Sequence, residues 1–243
     1  MFYDSMGPEK RKSDSLLVKL VIRPTSYLVA SILASLGASA NGVSFFSILL
    51  GIGINVLLFL DNQICRIVGA SLIFVWLVLD GVDGNIARTV RKQSYGEFMD
   101  GAGGYFLISF LLFSVGKICF DTGGLWFQKG DFWSLVLGGL FAICMTLSRL
   151  LYQKFKTDPS AEPSSNDSNK KASGLFQKLK KAEDRVSKEF GLAGLMPIAL
   201  LVTVIFSWTD VFLLVYGCFF SLLFLASSLY FFLMVLKKNH QEK

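Results

Sequence analysis

Apolar residues in this chain run in long blocks separated by short polar punctuation. Val43–Leu60, Arg66–Ala87, Gly96–Ile118, Phe132–Leu151, Leu192–Trp208 and Val211–Leu236 each approach the roughly 20 residues that carry a helix across a bilayer. Turn-forming stretches divide them: Asn41-Gly42, Asp61–Cys65, Asp121–Asp131 and Thr209-Asp210. Ahead of these blocks lies Ser15–Leu36, split by Arg23-Pro24. There Leu28, Ile32 and Leu36 recur four apart with Ser31 and Ser35 between them, a weaker pattern that predicts a helix lying in the interface. The expected fold is an all-α integral membrane protein with six transmembrane helices preceded by an interfacial amphipathic helix.

The remaining segments are polar. Residues 1–14 form a polar start, and Thr157–Ser173 is rich in Ser, Asn, Asp and Pro, as a disordered insert would be. Leu175, Phe176, Leu179, Val186 and Phe190 then recur at helical spacing against Lys178, Lys180, Lys181 and Arg185. That pattern reads as a basic amphipathic helix on the inner leaflet, or a solvated linker helix. The expected organisation is 1–40, N-terminal segment and interfacial helix; 41–152, the first four spans; 153–190, a cytosolic loop; and 191–243, the last two spans and a short tail.

Composition supports the membrane assignment: 53% of the 243 residues are hydrophobic and only 17% charged, against about 25% charged in a soluble domain. The net charge of +6 falls mostly in loops on one side of the expected topology. It therefore reads as cytosolic-face charge meeting anionic lipid, with no nucleic-acid partner, and it places both termini in the cytosol. Trp126, Trp133 and Trp208 fall near the opposite ends of the spans, as an aromatic belt would. Cys65, Cys119, Cys144 and Cys218 have no zinc-ligand spacing, although a Cys65–Cys119 disulfide at the outer face is conceivable. No cleavable signal peptide is visible, so the first uncleaved helix is expected to direct insertion. Gly51-Ile-Gly53 lacks the strand and helix context of a dinucleotide loop and reads as a close-packing face.

The polar anomalies are the chemistry. Asp80, Asp83, Gly84 and Ala87 share one helical face, and Gly96, Asp100 and Gly103 or Gly104 share a face of the next helix. A basic loop joins the two helices, which makes them antiparallel neighbours. A carboxylate at the centre of a span costs about 2.5–3.5 kcal/mol on insertion scales. Asp80, 14 residues beyond Arg66, lies about 21 Å along the helix, in the cytosolic third. Three carboxylates gathered there would repel one another unless a divalent cation joined them, and all-oxygen ligands favour Mg²⁺ or Mn²⁺. Gly84 and Ala87 leave room for a phosphate, with Arg88 placed to pair with it. The plainer alternative is that the aspartates cap two helix ends with Arg88 as partner.

These residues resemble the signature of the CDP-alcohol phosphatidyltransferases, Asp-x2-Asp-Gly-x2-Ala-Arg, a short spacer, then Gly-x3-Asp-x3-Asp. Asp80, Asp83, Gly84, Ala87, Arg88, Gly96 and Asp100 all match it. The resemblance implies metal-dependent transfer of a substituted phosphate group from a CDP-alcohol, such as CDP-diacylglycerol, to an alcohol acceptor with release of CMP, in phospholipid or related glycan and lipid biosynthesis. It implies Asp80, Asp83 and Asp100 as metal ligands, and Gly84, Ala87, Arg88 and Gly96 beside the nucleotide diphosphate. It further implies Asn41, Ser44 and Ser94 as candidate nucleotide contacts. It also implies a homodimer in a bacterial-type inner (plasma) membrane with a cytosolic active site.

One position departs from the signature. Its last Asp, the family's expected base, is Gly104 here. Another base such as Glu97 could serve, or an acceptor carrying its own phosphate could take the proton. Alternatively the chain binds CDP-alcohol without turnover, or position 104 carries an introduced substitution. A small cation transporter built on the aspartates is a further class, but it gives the signature glycines and Arg88 no role. Arg149, at the cytosolic end of the fourth span, either binds an acceptor phosphate or snorkels to the headgroups.

Overall fold

The computed structural model describes residues 14–89, 94–157 and 188–241. Among them all the regular structure is helical: α1 (Arg23–Ser35), α2 (Ala40–Phe59), α3 (Gln63–Thr89), α4 (Gly96–Thr122), α5 (Phe132–Thr157), α6 (Met196–Ile205) and α7 (Thr209–Gln241). Most of the polar insert and of the expected basic amphipathic helix lies outside the described residues, as does the N-terminal segment before Asp14. Among the described residues six helices are long and apolar enough to cross a membrane, as expected of a multi-pass integral membrane protein.

The membership of those six differs from expectation at two places. The first is the N-terminus, where Arg23-Pro24 does not split the helix. Pro24 sits in the first turn of α1, where a missing N–H is tolerated, and a π-helical turn, Val18–Ile22, leads into it. By length and composition alone the joined stretch Val18–Ser35 counts among the six and is the least apolar of them. Ser26 within it and Ser44 beyond its end both meet the same end of α3, at Asn85 and Asp83, so it lies across that end as the expected interfacial helix would. The second is the expected span Leu192–Trp208, which is helical only over the 10 residues of α6. A helix of that length rises about 15 Å, half of a roughly 30 Å hydrocarbon core. The chain turns just before it, with Leu195 N–H donating to Glu189 O (2.7 Å) and Gly194 N–H to Gly191 O (2.9 Å). A Cβ on Gly194 would collide with the Glu189 backbone, so the turn depends on this glycine.

Helix boundaries follow from local capping. Gly37, at φ 77°, closes α1: Ala38 N–H donates to Leu33 O (2.9 Å) and Gly37 N–H to Ala34 O (3.1 Å), a Schellman closure. Ser39 caps α2 by accepting from Gly42 N–H (3.1 Å). Asn41-Gly42, expected as a turn or cap, therefore lies inside the first turn of α2. Asn62 Oδ1 accepts from Ile64 N–H (2.9 Å) and Cys65 N–H (3.2 Å), so α3 begins earlier than its apolar run. Arg66 is buried within α3 and paired with the exposed Asp61 (3.1 Å).

The chain divides into two compact units, Met1–Leu107 with Leu179–Thr209, and Ile108–Lys178 with Asp210–Lys243. In the first, Gly69 of α3 lets the α2 backbone approach, since a Cβ there would lie 3.2 Å from Ile54 O. Asn55 Nδ2 donates to Gly51 O (3.0 Å) within α2 and to Leu107 O (3.0 Å) of α4. Trp76 Nε1 donates to Ser47 O (3.0 Å), tying α3 to α2. Polar bonds of this kind join helices where lipid gives no hydrophobic incentive to associate.

In the second unit α4 and α5 cross at Gly116 and Gly138, where a Cβ on Gly138 would stand 3.0 Å from Gly116 Cα and 2.9 Å from Leu112 O. Gly138→Val should destabilise this unit by about 1–3 kcal/mol through overpacking, read as a lowered unfolding midpoint in detergent. Asp210, expected in a turn, is instead fully buried at the start of α7. It accepts from Trp126 N–H (2.6 Å) and Val211 N–H (2.9 Å), which fastens the loop before α5. All four cysteines are free thiols, so the conceivable Cys65–Cys119 bridge is not formed; Cys119 is buried. Trp126, Trp133 and Trp208 are exposed, as belt residues would be.

Candidate functional site

The site is built on the last turns of α3. Helical spacing there turns Val82, Asp83, Asn85 and Ile86 inward, leaves Asp80, Gly84 and Ala87 half-buried, and exposes Arg88. Asp83 is only 4% exposed. A carboxylate buried to that degree is costly unless hydrogen-bonded. Its Oδ2 accepts from Ser44 Oγ–H (2.6 Å) and its Oδ1 from Gly84 N–H (2.5 Å). Arg88 and Asp100 both act on its charge. Ser44 is itself buried on α2, one turn beyond Ala40, to whose carbonyl its hydroxyl also points (3.1 Å). The structure thus brings Ser44 and Asp83 into direct contact. Ser44→Ala should lower turnover about tenfold, because a hydrogen bond to a charged group contributes about 1.5–3 kcal/mol. The check is initial rate at saturating donor, with the unfolding midpoint showing that the variant is folded.

The glycine of the signature has a different immediate neighbour from the expected phosphate. A Cβ on Gly84 would lie 3.2 Å from Arg88 Nη1, so the guanidinium folds back over this glycine. Arg88 Nη2 also donates to Asn85 Oδ1 (2.8 Å). Gly84 therefore lets an arginine cation approach the backbone beside Asp83.

Asn41 reaches across to the segment that enters α4. Its Nδ2 donates to Ser94 O (3.0 Å), and a Cβ on Gly96 would come 3.9 Å from its Oδ1. Tyr95, between them, has φ 63°, a left-handed conformation that costs a bulky residue of order 1–3 kcal/mol. Asn41 thus fixes the bend from which α4 starts. Asp100 follows on α4 with its side chain exposed, and Gly104 is buried one turn further on. Glu97 lies in the first turn of α4, its side chain outside the described residues. Arg149 is half-buried on α5, in the other compact unit.

The donor chemistry fits a hard divalent cation, since Asp80, Asp83 and Asp100 offer only oxygen. Their placement does not assemble a ready ligand set: among the described residues no three acidic, His or Cys side chains stand close enough together to hold an ion. What the structure does hold together is Asp83, Ser44 and the Arg88 guanidinium. Reasoning from spacing missed Asn85 and Ser26, both fully buried polar residues joined by a hydrogen bond (Asn85 Nδ2 to Ser26 Oγ, 3.1 Å). The available signal was a second polar residue two positions after Asp83.

The fold and site together describe a multi-pass helical membrane protein that buries a hydrogen-bonded aspartate beside an arginine, with the charge of a further aspartate on the next helix acting on it. The model of the CDP-alcohol phosphatidyltransferase family matches residues 38–216, most of the chain. The chain belongs to the CDP-alcohol phosphatidyltransferase family. It is accordingly a transferase, with a CDP-alcohol as donor of a phosphatidyl group and an alcohol as acceptor. No curated protein matches the chain.

Proposed function

We propose that this protein transfers a phosphatidyl group from CDP-diacylglycerol to an alcohol and releases CMP, at the cytosolic face of a bacterial-type inner membrane, in phospholipid or related lipid biosynthesis. The observation that carries the reading is the buried Asp83, hydrogen-bonded by Ser44 and flanked in charge by Arg88 and Asp100. Asp80, Asp83 and Asp100 are the residues that would hold Mg²⁺ or Mn²⁺. When bound, such an ion supplies charge stabilisation on the phosphates and the leaving group. Arg88 supplies a planar cation of fixed charge for the diphosphate. Asn41, through Ser94, sets where α4 and hence Asp100 begin. Gly84 lets the Arg88 guanidinium approach the backbone closely, Gly96 is a further proposed neighbour of the diphosphate, and Arg149 remains the candidate for an acceptor phosphate.

A second reading is supported by Gly104. A buried glycine stands where the family signature carries its last carboxylate, so a chain that binds CDP-alcohol but turns it over weakly or not at all fits the same site. The two are separated by giving purified protein a lipid-labelled CDP-diacylglycerol, Mg²⁺ or Mn²⁺, and a panel of acceptors: glycerol phosphate, inositol phosphate, serine and choline. Label appearing in one new lipid supports transfer. Saturable donor binding with no new lipid from any acceptor supports the second reading. Crosslinking in bilayers tests the homodimer proposed from the family.

A further inference from the structure

The N-terminal helix carries an arginine that the reaction scheme above leaves unused. Arg23 opens α1 just before Pro24, and its guanidinium makes a two-point contact with Asp14, Nε to Oδ2 at 2.9 Å and Nη2 to Oδ1 at 3.3 Å. Neither side chain is more than 17% exposed. The α1 backbone here is locked to the signature end of α3. Ser26 Oγ donates to Arg23 O (2.9 Å) and accepts from Asn85 Nδ2 (3.1 Å), while Asn85 Oδ1 accepts from Arg88 Nη2 (2.8 Å). Gly81 presses on the same point, since a Cβ there would stand 2.9 Å from Ser26 Cβ. One buried seam therefore anchors two arginines on two helices, close enough for the charge of Arg23 to act on Arg88.

Two guanidinium groups held in mutual range by a rigid seam make a paired cationic face, with Asp14 bonded to Arg23 and the charges of Asp83 and Asp100 acting on Arg88. A doubly charged oxyanion answers both, and the planar fork of arginine fits phosphate with two parallel hydrogen bonds. We propose that Arg23 is a second phosphate-binding residue, acting with Arg88 on one phosphate of the substrate, and that Asp14 is the carboxylate this phosphate displaces. The inference rests on the reading under Proposed function in that the phosphate belongs to that substrate. Its source is either the diphosphate of the donor or a phosphate carried by the acceptor.

The test uses the full chain in detergent and measures binding of inorganic pyrophosphate, CDP-diacylglycerol and glycerol phosphate, in parent, Arg23→Gln, Arg23→Lys and Asp14→Asn. Arg23→Gln should weaken pyrophosphate about tenfold, as expected for loss of a charge-assisted hydrogen bond. Arg23→Lys should recover part of that loss, and Asp14→Asn should tighten binding by freeing the guanidinium. Beside the loss for pyrophosphate, weakening of CDP-diacylglycerol assigns the donor, and weakening of glycerol phosphate assigns the acceptor. A structural ion pair would shift the unfolding midpoint and leave these affinities alone. A folded Arg23→Gln that binds all three probes within twofold of parent overturns the proposal. Should Arg23→Gln not fold, unchanged or weaker binding by Asp14→Asn overturns it equally. The outcomes also separate this inference from the proposed reaction. Arg23-dependent pyrophosphate binding without CMP release keeps the site and removes the turnover. CMP release with affinities indifferent to Arg23 does the reverse.

Discussion

Asp83→Asn should lower CMP release by about 10²–10³-fold, the loss that follows removal of one preorganised electrostatic group. Asparagine keeps the shape of the side chain, and its amide oxygen can still accept from Ser44 Oγ–H, so the contact at 2.6 Å between α2 and α3 survives, while the local bond from Gly84 N–H is given up to the amide NH2. What disappears is the negative charge at a site that is 4% exposed. Burying a charge is more costly than burying an amide. The relief of a buried charge offsets the lost Gly84 bond, so the unfolding midpoint should change far less than turnover. That separation distinguishes an aspartate kept for chemistry from one kept to hold two helices together. If activity and stability fall in proportion, Asp83 is a structural residue and the site has been misplaced. Asp83→Ala is a poorer test, because it also leaves Ser44 without its partner and opens a cavity.

Gly104→Asp should raise CMP release by about 10²-fold, the lower end of what a positioned general base contributes. Position 104 lies four residues after Asp100 on α4, on the same face of the helix. Asp100 already projects where its charge reaches Asp83. A carboxylate one turn deeper restores the group that the family signature carries at this position. Because the change adds a base and leaves the Ser44, Asp83 and Arg88 cluster untouched, the expected gain is in kcat, with donor KM unchanged. An unchanged kcat in a folded variant means that the proton leaves by another route. Glu97 and a phosphate on the acceptor are then the groups to substitute next.

Spanning helices were legible in the sequence where an apolar block had its full length and a clean cap. Val43–Leu60 coincides with α2 to within three residues at each end, and Phe132–Leu151 shares its start with α5, which runs on to Thr157. Legibility failed where backbone geometry overrode composition. Leu192–Trp208 is apolar enough to span, yet the Gly191–Leu195 turn removes its first turns and leaves α6 alone. Pro24 looked like a break because proline ends most helices, but at a first turn it has no hydrogen bond to lose. The candidate site divides in the same way. Asp83 and Arg88 stood out as charges inside an apolar run, and Ser44 lay one turn into the next polar punctuation. The seam from Arg23 through Ser26 and Asn85 to Arg88 could not be read from spacing, because no periodicity says which face of α1 meets α3. Gly84 shows the same limit: its smallness was visible, but the neighbour that needs it, the Arg88 side chain, was not.

The central claim is that this membrane-embedded site turns over a CDP-alcohol. Its most direct test is CMP release by the purified protein from CDP-diacylglycerol, followed with and without an alcohol acceptor and with and without Mg²⁺ or Mn²⁺. The account predicts CMP only when both acceptor and divalent cation are present, stopped by chelation and largely lost in Asp83→Asn. Saturable binding of CDP-diacylglycerol with no CMP from any acceptor, in the presence of either cation, would contradict it.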